Sequence, residues 1–144
     1  MEFADKIKAA NSKNSFMLHN GIRLTGMEQD YARVEADLCR ENRNLYGAVH
    51  GGMFLTMADC AAGAAARTNG MRYVTVSSSF EFYRNTQDSH LIAEGRIKNR
   101  GKPSALPRWR RTTVEESFCA AALLPSSAPV NGTSFPGHDG LSLV

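Results

Sequence analysis

Between Met53 and Ala66 only Thr56, Asp59 and Gly63 interrupt an unbroken set of Met, Phe, Leu, Cys and Ala. No stripe separates a wet side from a dry one, so the pattern predicts a helix apolar on every face, and such helices are normally buried. The helix opens from the polar loop Asn44-Leu45-Tyr46-Gly47-Ala48-Val49-His50-Gly51-Gly52 and stops near Asn69-Gly70, a common helix exit. Elsewhere the period is two. Ala32, Val34, Ala36 and Leu38 alternate with Tyr31, Arg33, Glu35, Asp37 and Cys39, which marks a strand with one dry face. Residues 73–83 predict a second, longer strand. Val74, Val76, Phe80 and Phe82 face one way in it, Thr75, Ser77, Ser79 and Glu81 the other. Residues 91–98 predict a third, with Leu91, Ala93 and Ile97 on one side. Ile22 and Leu24 suggest a short strand, and residues 26–30 a polar turn. Residues 40–44 read as a charged loop and 85–88 as a turn. Residues 2–10 suggest a short amphipathic helix with Phe3, Ile7 and Ala10 on one side. Strands grouped around one core helix predict an α+β layer, not a parallel βαβ sheet.

The pattern breaks after Lys102. All five prolines (Pro103, Pro107, Pro125, Pro129, Pro136) and the single Trp109 lie beyond it. From Pro125 onward Ser, Pro, Gly and Ala dominate without periodicity, which reads as disorder. The apolar run from Cys119 to Leu124 has no obvious partner. The expected division is therefore a domain over 1–102 and an atypical, poorly ordered tail over 103–144.

Composition narrows the class. A chain of 144 residues suits one domain with a real core. The net charge of +3 is too small to argue for nucleic acid. No segment approaches the roughly 20 apolar residues of a membrane span. The start Met1-Glu2-Phe3-Ala4-Asp5-Lys6 lacks the basic and apolar regions of a signal peptide. Cys39, Cys60 and Cys119 are odd in number and form no Cys-x-x-Cys pair. This fits a reducing cytoplasm and argues against a disulfide scaffold or a zinc site.

The chemistry centres on Asp59. A carboxylate inside a greasy helix is costly unless paired or used. Backbone N–H groups near Gly51 and Gly52, at the positive end of that helix, suit an oxygen that develops negative charge. Glycine permits close approach because it has no Cβ. The bland alternatives are a tight turn into a helix and a structural Asp bonded to backbone. His50 has no second His nearby, which argues against a metal.

Asn44, Gly47, His50-Gly51-Gly52 and Asp59 give the spacing Asn-x-x-Gly-x-x-His-Gly-Gly, with an acid seven residues after the last Gly. This resembles the hotdog-fold acyl-CoA thioesterases of the phenylacetic-acid-pathway (PaaI-like) type, over about residues 10–102. The resemblance implies an antiparallel sheet wrapped round the long helix. It also implies a homodimer, often doubled to a homotetramer, with sites at the subunit interface. It implies hydrolysis of an acyl-CoA to free acid and CoA, without metal or redox cofactor. Asp59 would be the general base or the nucleophile, facing the Asn44 and Gly51 of a second subunit. Asn44 would orient the thioester or water, with loop capping as its alternative. His50 would orient the loop or the carbonyl, and Gly52 would line the substrate. Thr75 falls on the family's water-holding position, with Ser77 left open by strand parity. Arg84, Arg100 and Lys102 lie at strand ends where the family often meets coenzyme A phosphates. Asn85 stands where relatives often carry Pro, which puts the local turn in question. Phe54, Met57 and Phe80 suggest an apolar acyl pocket.

The family also expects two long strands after Gly101-Lys102, in the middle of the sheet, and this chain lacks them. A reading-frame slip would account for the difference. Residues 104–127 can be back-translated so that an overlapping frame encodes an alternating run, an Asp-Gly turn and a second alternating run. A gene with no single-base change near codon 103 relative to a full-length relative refutes the idea. Three other outcomes stay open: a hotdog hydratase or dehydratase, a non-catalytic acyl-CoA-binding hotdog module, and an inactive frame-shifted product.

Overall fold

The computed structural model describes residues 2–75, 78–82, 84–98 and 100, and the backbone of 122–125. In chain order come α1 (Phe3–Lys13), α2 (Ser15–His19), β1 (Ile22–Glu28), β2 (Tyr31–Asp37), α3 (Gly51–Ala66), β3 (His90–Arg96) and β4 (Ala122–Pro125). Single 3-10 turns lie at Arg40–Asn42 and Arg67–Asn69. The strands form one antiparallel sheet in the order β1-β2-β3-β4. α3 packs across β1, β2 and β3, giving the expected α+β sheet around a central helix. No helix among the described residues is long and apolar enough to cross a membrane.

Register explains how closely the helix sits. Ala32 pairs with Gly95, Val34 with Ala93 and Ala36 with Leu91, so one face of the sheet carries mostly small side chains. All of these are buried. Ala61, Ala64 and Ala65 of α3 meet that face. At Gly95 the helix backbone touches the sheet: a Cβ there would stand 2.6 Å from the Ala61 carbonyl oxygen. Such a contact has no room for a methyl group. On the sheet's outer edge the Asn11 side chain accepts from the Leu24 N–H and donates to its carbonyl, both at 2.8 Å. One amide thus occupies ladder groups that an edge strand would otherwise expose.

Several expectations are corrected. The first helix runs on to Lys13, and α2 was not foreseen. β1 continues through Gly26 to Glu28, past a bulge between Leu24 and Gly26. The turn shrinks to Gln29 and Asp30, with Asp30 at φ 61°. The strand expected over 73–83 is not formed in its described residues. Val74 makes only an isolated bridge, and Val74 and Phe82 are 64% and 59% exposed. Alternation supplies a face but not a neighbour, and a strand needs partners for its backbone N–H and C=O groups. Phe80 and Phe82 instead stack edge-on at 4.6 Å, with Phe54 6.4 Å from Phe82. The apolar run ending at Leu124 does find a partner: Leu91 pairs with Pro125 and Ala93 with Leu123. The remaining tail, and with it the disorder expected there, lies outside the described residues.

Candidate active site

The sheet covers one side of α3 and leaves another open. Gly52, Leu55 and Asp59 fall on a single stripe, and all three are exposed in the single chain. The expectation of Asp59 in a greasy interior is therefore corrected. Its helix is apolar on every face by composition, but one chain supplies cover for only part of the circumference. Asp59 is paired all the same: the Thr75 hydroxyl donates to its Oδ1 at 2.6 Å. A hydroxyl bound to a carboxylate is a short, charge-assisted contact. Next to it, burial and then the Asp59 charge push the Cys60 thiol up to about 11, so that sulfur stays protonated.

The helix N-terminus is built by the loop before it. His50 is the N-cap, and its Nδ1 accepts from the Gly52 N–H at 2.9 Å. An accepting Nδ1 places the proton of the neutral ring on Nε2. Gly52 is glycine for a local reason: a Cβ would meet His50 Nδ1 at 3.1 Å. Its N–H is engaged, so the open donor is that of Gly51, which makes no hydrogen bond among the described residues. Asn44 holds the loop from inside. Its Oδ1 accepts from the N–H groups of Tyr46 and Ala48 at 2.9 and 3.2 Å. Its own N–H donates to the Ala48 carbonyl at 2.8 Å. The loop-capping role of Asn44 is thus real, and its Nδ2 donates to nothing among the described residues. Gly47, at φ 77°, makes the turn possible.

Arg43 was not singled out by sequence, yet it braces this loop. It donates to the carbonyls of Gly47, Gln87 and Asp88 at 3.1, 3.2 and 3.0 Å. An arginine in a charged loop gives no local sign of such a role. Arg100 is placed differently from expectation. Its guanidinium donates to Asp30, to the Ala66 and Ala65 carbonyls, to Tyr73 Oη and to Thr68 Oγ1. These bonds close the C-terminal end of α3 and leave no donor for a coenzyme phosphate. Arg84 is exposed. Ser77 and Lys102 lie outside the described residues. Phe54 and Met57 are core residues, 3% and 0% exposed, whereas Phe80 is half-buried. No group of three or more His, Cys, Asp or Glu among the described residues is placed to hold a metal.

Residues 46–106 match the thioesterase superfamily. A curated protein of Archaeoglobus fulgidus, named "Putative esterase", is 27% identical over 84 residues, or 58% of this chain and 54% of that one. The chain thus spans about half the length of the curated relative it matches. Among solved structures, the E. coli PaaI protein from the phenylacetic acid degradation operon aligns with a TM-score of 0.64 at 22% identity, over 69% of this chain and 73% of that one. A phenylacetic acid degradation-related protein from Ralstonia eutropha JMP134 aligns with a TM-score of 0.66 at 16% identity, over 88% and 90%. The architecture is that of the hotdog fold.

Proposed function

From a chain whose residues 46–106 match the thioesterase superfamily and which carries the hotdog fold, we propose that the protein hydrolyses an acyl-CoA thioester to free acid and CoA. The carrying observation is the Thr75–Asp59 pair on the open stripe of α3. Asp59 takes a proton from water, or attacks the carbonyl itself, and Thr75 holds the carboxylate and the water in line. The negative charge on the carbonyl oxygen is met by the Gly51 N–H at the positive end of a helix, and the Asn44 Nδ2 of the same loop is a second donor.

These groups act together only across two chains. Gly51 and Asp59 lie eight residues apart on one helix, so about 12 Å separates them along its axis. One thioester carbonyl cannot reach both. A homodimer, or a homotetramer made of two, brings Gly51 and Asn44 of one copy to Asp59 and Thr75 of the other. The exposed Leu55 beside Asp59, and Leu45 and Tyr46 beside Asn44, 100% and 88% exposed, give such a contact apolar area. The cytoplasm remains the compartment proposed.

Release of free thiol from a panel of acyl-CoAs tests the reading. The intact protein should turn over at least one acyl-CoA, and Asp59→Asn should abolish this while keeping its circular dichroism and oligomer size. Binding without turnover would favour an acyl-CoA-binding module. A monomer with no cooperative unfolding would favour an inactive product of a shifted frame.

A further inference from the structure

Glycine weakens a helix, so Gly63 in the last turn of α3 asks for a reason. It lies one turn beyond Asp59 on the helix. The place its side chain would take is occupied by Arg67. A Cβ on Gly63 would stand 3.1 Å from Arg67 Nη1 and 3.6 Å from both Cζ and Nη2. The guanidinium therefore lies over Gly63, one turn back along the helix from its own Cα. Among the described residues it donates no hydrogen bond and joins no ion pair, unlike Arg33, Arg43 and Arg100. A cation exposed in the single chain, with no carboxylate partner among the described residues and its guanidinium over a residue one turn from the candidate catalytic acid, is suited to an anion on the substrate.

We propose that Arg67 binds a carboxylate at the far end of the acyl group, so that the preferred substrates are half-thioesters of dicarboxylic acids. This rests on the hydrolase reading above and adds the acyl class to it. Length decides which anion is meant. One helical turn is about 5.4 Å, which an acyl chain of about four carbons beyond the carbonyl covers. The coenzyme's phosphates lie on the other side of the sulfur, at the end of the pantetheine arm. A planar guanidinium pairs with a carboxylate through two parallel bonds, a geometry that an ammonium does not reproduce.

The test uses two thioether analogues that cannot be hydrolysed, carboxybutyl-CoA and pentyl-CoA, with affinities measured by calorimetry on the full chain. The natural protein should bind carboxybutyl-CoA about tenfold tighter, the effect of one charged contact. Arg67→Gln should lose that preference while binding pentyl-CoA as before, and Arg67→Lys should keep part of it. Gly63→Ala, which displaces the guanidinium without removing it, should reduce the preference as well. An equal preference in the natural protein and Arg67→Gln overturns the proposal, as does failure to bind either analogue. Equal weakening of both analogues in Arg67→Gln overturns it too, because that would assign Arg67 to the coenzyme's phosphates. Binding is read without turnover, so the two readings fail separately. An intact preference with no hydrolysis of any acyl-CoA sinks only the hydrolase reading. Hydrolysis of pentanoyl-CoA with no preference sinks only the carboxylate site.

Discussion

The two ends of α3 are finished in opposite ways. At the C-terminal end the chain satisfies its own carbonyls. Arg100 donates to Ala65 and Ala66, Lys6 reaches the carbonyls of Arg67 and Thr68 at 3.1 Å, and the Thr68 hydroxyl donates to Ala65 at 2.7 Å. At the N-terminal end one N–H is capped by His50, while the Gly51 N–H and the Asn44 Nδ2 are left without partners among the described residues. A closed end contributes stability. An open end keeps donors that a bound group can use, which is the role proposed above for the Gly51 N–H.

The comparison can be broken most severely at Asp59, on the open stripe. Asp59→Asn should lower kcat by about 10²–10⁴-fold, the range of general acid–base catalysis, while the melting temperature stays unchanged. Unchanged turnover would remove Asp59 from the chemistry. The closed end should respond in the reverse sense. Arg100→Ala leaves Asp30 and several carbonyls short of a donor, and chemical denaturation should show a loss of about 2–3 kcal/mol. Activity per folded molecule should persist.

His50 sharpens the contrast, because it caps the helix and borders the site. His50→Ala should cost about 1 kcal/mol in the same assay. It also frees the Gly52 N–H as a rival to that of Gly51, so kcat should change beyond what lost stability explains. Single-turnover rates on folded protein would separate the two effects.

The smallest effect belongs to the polar face of the sheet, far from either end. Burial raises the Glu35 carboxyl, but hydrogen bonds from Thr25, Arg33 and His90 and the Arg33 charge outweigh it, so its pKa sits below the ordinary 4.5. A lowered carboxylate stabilises the fold fully above its unfolded value, and that contribution is lost as pH falls through the lower folded value. Thermal melts from pH 6 down to about pH 3 should show this decline, and Glu35→Gln should flatten it.

How much of this was legible depends on whether a feature is local. The dry face of Ala32, Val34 and Ala36 was readable because side chains alternate along a strand whatever its neighbours do. The exit at Gly70, φ 82°, was readable for a similar reason. The spacing from Asn44 through His50 to Asp59 suggested one site, and the resemblance supplied Thr75, which the fold sets against Asp59. The Arg100–Asp30–Thr68–Tyr73 cluster left no such trace. Its members are scattered over 70 residues, from Asp30 to Arg100, and each alone resembles a solvated loop residue. The strand expected over 73–83 is not formed in its described residues for the complementary reason: alternation supplies a face, but pairing depends on another segment.

The sequence by itself determined where the central helix begins and ends, which face of β2 is dry, and which residue types crowd the loop before α3. These follow from backbone preference and side-chain period, which act over a few residues. Only the tertiary structure decided that Asp59 stands on an open stripe, that the Gly52 N–H is engaged while that of Gly51 has no partner among the described residues, and that Arg100 closes a helix. Each of these depends on which distant segment covers a surface or accepts a bond, and no local pattern carries that information.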